Sequence, residues 1–180
     1  MTIQRLEIPC PIFITKIEEH RDIKDSVLKY IEEESYITDD SPGNNISRTD
    51  YNIKTNTTKN YMDMLITIIH PYILNLYGEY IGYKEFGYIP NYDEYWFQQY
   101  NQNDTHNWHC HPKSSWANVY FLELPDDGPK TNILIPGLEK KIFVPGVKEG
   151  DLLTFPSFLF HCSPPNLSTD RKTIISFNIA

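Results

Sequence analysis

Apolar residues recur at helical spacing in two stretches of the first half of the chain. Over residues 21–34 and 59–81 they alternate with polar and charged residues in a pattern that predicts two amphipathic helices. Pro71 is expected to kink or split the second helix, because proline lacks the amide hydrogen of a regular helical bond. The two stripes, which we expect to pack against a sheet, are Ile23, Val27, Leu28 and Ile31, and Tyr61, Leu65, Ile68, Ile69, Tyr72, Leu76 and Tyr80.

Short segments of high β propensity make up much of the rest. Residues 5–17 predict an edge strand, since Pro9 and Pro11 cannot donate hydrogen bonds to a neighbouring strand. Residues 35–57 contain a run of Asp, Ser, Pro, Gly and Asn, which predicts a long, mobile loop and a candidate cover for a site. After Gly87 the predicted strands are 95–101, 109–112, 118–124, 132–135, 140–144, 151–155 and 172–179.

The order of these elements, helices first and then closely spaced short strands, indicates an α+β fold with a double-sheet jelly-roll core. A length of 180 residues suits one domain with one sizeable core. We therefore expect residues 1–180 to form a single domain. Residues 1–90 would supply mainly helical support with an edge strand, and residues 91–180 the jelly roll that carries the site.

The composition narrows the function classes. A formal net charge of -8 disfavours a protein that binds nucleic-acid backbones or anionic membrane surfaces. The three cysteines have no disulfide-framework spacing and indicate a reducing compartment. The sequence has no signal-peptide pattern and no apolar run of membrane-spanning length. A cytoplasmic protein is therefore expected.

Histidines give the strongest chemical signal. His106, His109 and His111 lie close together in the chain, and His161 follows far downstream. If residues 107–111 are extended, His109 and His111 point to one face with Cα atoms about 6.5–7 Å apart. With His161 from a distant strand they predict a pocket for a first-row transition metal. The three-residue spacing of His106 would turn it away from His109.

Two cysteines adjoin these histidines in the sequence. Cys110 and Cys162 would point away from the metal pocket if their segments are strands, and we interpret them as packing residues. The alternative is that they are ligands of a structural zinc site.

The second half also carries a series of motifs in a fixed order. They are Tyr-Trp-Phe-Gln-Gln-Tyr-Asn at 95–101, His109-x-His111-Pro112, Ser-Trp-Ala-Asn-Val-Tyr-Phe-Leu at 115–122, Gly-Asp-Leu-Leu-Thr-Phe-Pro-Ser at 150–157, His161, and Arg-Lys-Thr-Ile-Ile-Ser-Phe-Asn at 171–178. Together they resemble a family of iron(II)/2-oxoglutarate-dependent oxygenases of marine phages and bacteria, within the prolyl-hydroxylase-like superfamily. The resemblance covers residues 93–179 well and the first half loosely.

The resemblance implies a double-stranded β-helix that holds Fe(II), with 2-oxoglutarate as co-substrate and O2 as oxidant. The superfamily binds iron through a His-x-Asp/Glu…His set, whose histidines His109 and His161 match. His111 stands where the broader superfamily has a carboxylate, although His-x-His-Pro is common in the subfamily. Whether His111 ligates the iron, or a water or His106 does, stays open.

The resemblance also implies a basic side chain on the last core strand that binds the far carboxylate of 2-oxoglutarate. The family's ending places this residue five positions before a Phe, and counting back from Phe177 gives Lys172. A slip of one residue in register would give Arg171 instead. Polar residues that share a face on neighbouring strands are further candidates for this pocket: Asn118 and Tyr120 on one strand, and Gln98 and Tyr100 on another.

The expected function is hydroxylation of a peptide side chain or a small molecule, coupled to conversion of 2-oxoglutarate to succinate and CO2. Two alternatives stay open. One is a cupin-type metal enzyme without 2-oxoglutarate, which a three-histidine site would suit but which needs no basic anchor. The other is a non-catalytic phage binding or structural module that keeps the fold. The sequence identifies neither the substrate nor the oligomeric state.

Overall fold

Two helices and two antiparallel sheets form three layers. The computed structural model describes residues 10–51, 53, 59–82, 89–135 and 142–180. In these parts of the chain the helices pack on one face of a seven-stranded sheet, and a four-stranded sheet packs against its other face. The prediction of helices on one sheet of a two-sheet α+β fold is confirmed. That residues 1–180 form one domain stays a prediction.

Both predicted helices are present. Helix α1 spans His20–Glu33, and helix α2 spans Asn60–Leu76 and continues as a π-helical turn, Tyr77–Ile81. Pro71 lies inside α2 and does not split it, so that part of the prediction is wrong. The turn ends at Gly82, whose φ of 80° is a left-handed conformation that favours glycine. No helix among the described residues has the length and hydropathy needed to cross a membrane.

The large sheet contains most of the strands. From one edge to the other it consists of β1 (Phe13–Lys16), β9 (Asp151–Pro156), β6 (Trp116–Glu123), β11 (Lys172–Ile179), β4 (Tyr92–Tyr100), β3 (Ile46–Thr49) and β2 (Ile37–Asp39). Strand β1 lies at an edge, as the prolines predicted, although residues 5–9 of the predicted strand are outside the described residues.

The small sheet carries the histidines. Its order is β5 (His106–His109), β10 (His161–Ser163), β7 (Asn132–Leu134) and β8 (Ile142–Phe143). Two expectations are corrected here. Strand β5 ends at His109, where a strand over 109–112 was expected, because the chain turns there and the amide of His111 donates to the carbonyl of Ser157. Strand β10 was not predicted, because it has only three residues.

Two apolar cores lie on the two faces of the large sheet. The core on the helix side joins α1 and α2 to the sheet, and the other fills the space between the sheets. The helix-side core includes Val27, Ile31, Leu65, Ile69, Leu122, Leu152, Ile175, Phe177 and Ile179. The inter-sheet core includes Ile46, Ala117, Val119, Phe121, Ile133, Leu153, Phe155, Leu159 and Ile174.

The prediction of a long loop over residues 35–57 is wrong for much of that segment. Strands β2 and β3 form a hairpin there, and β3 pairs with β4 at Arg48 and Thr49. The turn residues that suggested a loop form the hairpin's connection, where Gly43 has a φ of 86° against the side chain of Asn107. Residues 52 and 54–58 are outside the described residues.

A buried carboxylate fixes this hairpin and α2 to the centre of the sheet. Asp50 accepts hydrogen bonds from the amide of Phe97 and the hydroxyl of Tyr61, both at 2.8 Å. The ammonium of Lys59 lies 2.6 Å from the same carboxylate, whose side chain is 1% exposed. Three segments are thereby held together: the end of β3, the start of α2, and β4.

We predict that Asp50→Ala strongly destabilises the protein. It would leave the Lys59 ammonium buried without its counter-charge, and breaking such a pair costs about 3–5 kcal/mol. Urea unfolding would measure the free energy of unfolding, with Asp40→Ala at an exposed position of the same hairpin as the control, expected within about 0.5 kcal/mol of the wild type. Equal stabilities of the two variants would contradict the role assigned to Asp50.

Candidate metal centre

Three histidines from separate segments converge between the two sheets. His109 ends β5, His161 begins β10 opposite it in the strand pairing, and His111 follows in the turn after β5. One ring nitrogen from each lies within 4.8 Å of those of the other two. Such a set of three imidazole nitrogens suits a first-row transition metal and leaves coordination positions for other ligands.

Backbone carbonyls fix the ring orientation of two of these histidines. Nδ1 of His109 is 2.8 Å from the carbonyl oxygen of Asn107, and Nδ1 of His161 is 3.0 Å from that of Leu159. A carbonyl oxygen only accepts, so Nδ1 carries the proton and donates in both rings. The unprotonated Nε2 is then the atom free to bind a metal, and backbone carbonyls are the partners that commonly orient metal-binding histidines.

Burial keeps the cluster uncharged. It holds the pKa of His161 well below its usual value, with the neighbouring His109 adding to the effect. Burial likewise lowers the pKa of His111 to about 4 and also lowers that of His109. Metal binding requires neutral imidazole, so these rings need not lose protons near neutral pH to bind a cation.

His111 reaches the cluster in a different way from the one expected. A regular strand over 107–111 was expected to put His109 and His111 on one face, but β5 ends at His109. The turn is fixed instead by the amide of His111, which donates to the carbonyl of Ser157 at 2.8 Å. The two rings lie edge to face with centroids 5.2 Å apart.

His106 also lies in the site, although its three-residue spacing from His109 predicted that it would point away. Its ring stacks on that of His109, with centroids 4.0 Å apart and planes 24° apart. The irregular pairing of β5 with β10, where His106 lies opposite Ser163, breaks the alternation of a regular strand. The amide nitrogen of Gln98 donates to its Nδ1 at 3.2 Å. His106 is outside the three-histidine group and flanks it.

The two cysteines lie closer to the site than expected. Cys110 borders a cavity beside the histidines, and Cys162 borders the space between the sheets. Both segments depart from regular strand geometry. The alternation that was expected to point the two cysteines away from the histidines therefore does not apply. Neither belongs to the group of potential ligands found among the described residues.

A buried ammonium lies at the inner end of this space. Lys172 has no exposed surface, and its Nζ donates to the hydroxyl of Ser163 at 2.8 Å. The ammonium lies over the rings of Tyr100 and Phe121, 4.9 and 5.9 Å from their centroids. No carboxylate among the described residues pairs with Lys172, and burial lowers its pKa to about 7.

The ring of Tyr100 lies next to this ammonium, and its buried hydroxyl has no hydrogen-bond partner in the described part of the chain. A buried lysine without a counter-charge and a buried hydroxyl without a partner are both costly. Together they suit an anionic group that would bind between them. Ser163 was not among the residues predicted from the sequence, although its two-residue spacing after His161 could have suggested it.

Arg171, the alternative anchor, points elsewhere. Its guanidinium donates to the carboxylate of Glu123 at 2.9 and 3.2 Å and to that of Glu32 at 3.1 Å. Strand β11 begins at Lys172, which places Lys172 on the inter-sheet face together with Ile174. Of the two candidates, Lys172 is therefore the one beside the histidine site.

The four other candidates divide between the two faces of the large sheet. Gln98 and Tyr100 line the space beside the histidines. Tyr120 lies in the helix-side core, and its hydroxyl shares a 2.7 Å hydrogen bond with Nδ1 of His20, so it is withdrawn as a candidate. Asn118 also borders the space beside the histidines, but it lies opposite Phe177 of the helix-side core, and its side-chain oxygen accepts a 2.7 Å hydrogen bond from the hydroxyl of Thr154.

The accessible space has two parts. Between the histidines and Ser163 it is narrow, about 20 Å³, or roughly one water molecule. A longer anion that reaches from the histidines to Lys172 therefore requires side chains such as His106 to move. On the other side of the histidines is a cavity of about 470 Å³, which we call the outer cavity. It is lined by Ile37, Asp39, Ser41, Asn44, Thr49, Tyr51, Trp96, Gln98, His106, His109, Cys110 and His111.

Comparison with known proteins identifies the fold. No family model matches the chain, and no curated protein matches its sequence. Among solved structures, the non-haem α-ketoglutarate-dependent epimerase SnoN from nogalamycin biosynthesis is 11% identical, with a TM-score of 0.68 over 94% of this chain and 77% of that one. A Pseudomonas putida prolyl-4-hydroxylase is 10% identical, with a TM-score of 0.64 over 93% and 91% of the two chains.

A third similar structure is a prolyl hydroxylase from Trichoplax adhaerens in complex with a hypoxia-inducible factor peptide fragment. It is 14% identical, with a TM-score of 0.64 over 93% of this chain and 82% of that one. At such low identities the comparisons show the fold alone, which this chain shares with these three enzymes. The phage origin implied by the sequence resemblance stays a prediction.

We predict that His109→Ala, His111→Ala and His161→Ala each abolish iron binding, since two ligands are too few to hold the ion. His106→Ala should retain it because His106 lies outside the ligand group. The measurement is iron content after anaerobic reconstitution. His70→Ala on α2 is the control for loss of a histidine elsewhere. Full iron occupancy in His161→Ala would contradict the assignment.

Proposed function

We propose that the protein is an iron(II)- and 2-oxoglutarate-dependent oxygenase whose two sheets form the double-stranded β-helix of that class. In this proposal His109, His111 and His161 hold the iron, and Lys172 anchors the co-substrate. The observation that carries the proposal is the buried Lys172 ammonium, without a carboxylate partner among the described residues, in the same inter-sheet space as three converging imidazoles.

The charges of the donor set fit this assignment. Three neutral imidazoles leave both positive charges of Fe(II) without compensation by protein ligands. 2-Oxoglutarate is a dianion, and one of its carboxylates would face the iron while the other faces Lys172. A bound carboxylate would also hold Lys172 in its charged form, because an adjacent opposite charge raises the pKa that burial lowers to about 7.

The residues around the far carboxylate would act through hydrogen bonds. Lys172 would donate a charge-assisted bond to it. The hydroxyl of Ser163, which accepts from the ammonium at 2.8 Å, and the unpartnered hydroxyl of Tyr100 would complete the contact. Gln98 holds His106 beside His109 when no co-substrate is bound. Iron and 2-oxoglutarate together would supply the oxidising chemistry, with O2 consumed and succinate and CO2 released. The protein contributes the orientation of these groups.

The substrate is proposed to be a small molecule or a peptide that enters through the outer cavity. The peptide complex of the Trichoplax enzyme shows that one protein of this fold acts as a peptide-binding hydroxylase. A cupin-type enzyme without 2-oxoglutarate would also use three histidines. Such an enzyme would not need a buried ammonium beside the histidines. A non-catalytic module would need neither the ammonium nor the histidines. We therefore favour the oxygenase, and a cytoplasmic location remains part of the proposal.

Anaerobic titration with Fe(II) and 2-oxoglutarate tests the proposed function. Chelation of iron by the co-substrate should give a weak visible charge-transfer band that requires both components. The same sample exposed to O2 should then release succinate slowly even without a substrate, and His161→Ala should release none. A protein that binds iron but shows neither the band nor succinate would instead favour the cupin-type alternative.

We predict that Lys172→Ala weakens 2-oxoglutarate binding far more than Arg171→Ala does. Loss of a hydrogen bond to a charged group costs about 1.5–3 kcal/mol, which raises the dissociation constant roughly ten- to over a hundredfold. Titration of the charge-transfer band measures this constant. Arg171→Ala is the matched control, since it removes the adjacent positive charge, which contacts Glu123 and Glu32 outside the site. A larger effect in Arg171→Ala would contradict the assignment.

A further inference from the structure

We propose that the outer cavity is the substrate site and that it selects a positively charged group, a primary or methylated ammonium. The inference rests on the proposed oxygenase function, because that centre would act on a group bound there. It adds the chemical class of the substrate, which neither the fold nor the histidines define.

The outer cavity has the position and size of a substrate site. It opens on His109 and His111, and its volume of about 470 Å³ is within the range of small-ligand pockets, about 300–1,000 Å³. Its far wall comes from the β2–β3 hairpin, which contributes Ile37 and Asp39, and from Tyr51 just after it. A group bound there lies beside the metal ligands without displacing Lys172 or its neighbours.

Two aromatic rings form the wall next to the centre. Tyr51 and Trp96 meet edge to face with centroids 5.1 Å apart. The ring of Trp96 lies 5.5 Å from that of His111. Tyr51 remains 39% exposed, so its ring is available to a ligand. Aromatic faces attract ammonium groups, and here such a group would be held next to a proposed iron ligand.

A charged carboxylate lies on the hairpin side of the same cavity. Asp39 accepts hydrogen bonds from the amide and hydroxyl of Ser41 and from the side-chain amide of Asn44. Burial alone would raise the pKa of Asp39, but these hydrogen bonds outweigh it and lower the pKa below its usual value. No lysine or arginine among the described residues forms an ion pair with Asp39.

The charge of the other residues that line the cavity also favours a cation. The described residues of the cavity wall include no lysine or arginine. The nearest arginine of the hairpin, Arg48, is paired with Glu32 and lies over the ring of Tyr36. An anionic substrate would therefore be repelled by Asp39, with no positive side chain in the described cavity wall to offset that repulsion. A cation would find both a counter-charge and aromatic faces, while the charges of Fe(II) and 2-oxoglutarate cancel at the centre.

Three probes of similar length test this selectivity directly. They are Nα-acetyl-lysine methylamide, its Nε-trimethyl form and its neutral Nε-acetyl form. Binding is followed by tryptophan emission in the presence of Fe(II) and 2-oxoglutarate under anaerobic conditions, since Trp96 lies in the cavity wall. We expect both cationic probes to bind about three- to thirtyfold more tightly than the neutral one. Trp96→Phe should lose the signal.

Two variants test whether Asp39 and Tyr51 cause the preference for the cationic probes. Asp39→Asn keeps an acceptor oxygen for Ser41 but removes the charge, and Tyr51→Leu removes the aromatic face. Each should reduce the preference for the cation severalfold. Asp40→Asn removes the exposed neighbouring charge and should keep the preference, and thermal unfolding of all three variants checks the hairpin.

The outcomes separate this inference from the proposed function. Equal binding of the cationic and neutral probes, no binding of either cationic probe, or an unchanged preference in both Asp39→Asn and Tyr51→Leu would overturn the inference. The charge-transfer band and succinate release would stand in that case. Loss of the band in the wild-type protein would overturn the proposed function instead, while the emission titration, which needs no turnover, would still decide the selectivity of the cavity.

Discussion

Burial of β11 on both faces is the constraint on which the arrangement of this protein depends. Every residue of Lys172–Ile179 is buried, and the strand lies between β6 and β4 near the middle of the large sheet. Alternate side chains must therefore enter different cores. Ile175 and Phe177 pack against the helices, while Lys172 and Ile174 enter the space between the sheets. The ammonium has no route to solvent, so its position beside the histidines is fixed by the strand itself.

The regularity of this strand explains why the sequence could predict its inward face. Counting along β11 requires only the period of two and one fixed point, which Phe177 supplied. For β6 the same rule was applied correctly, but both faces of that strand are buried, so alternation alone could not tell which face Asn118 and Tyr120 share. The structure puts Tyr120 in the helix-side core, where His20 is its partner.

Prediction failed where tertiary contacts replace regular geometry. The convergence of His109 and His111 was predicted for a strand, yet a turn held by the carbonyl of Ser157 produces it. The stacking of His106 depends on irregular pairing between β5 and β10, for which no sequence signal is known to us. The hairpin over 37–49 was hidden by its polar composition, because its short strands gain their order from pairing with β4 and not from an apolar pattern of their own.

Under the proposal, the two halves of the chain supply different groups to the same site. The groups proposed to hold iron and co-substrate all come from the second half, and the group that gives the outer cavity its charge, Asp39, comes from the first. Structures of this fold include an epimerase as well as hydroxylases, so the fold does not determine which product is formed. Under the proposed function, the group placed beside the metal and its orientation would decide the product. In this chain the β2–β3 hairpin, anchored by Asp50 to the sheet that carries Trp96, would set that orientation.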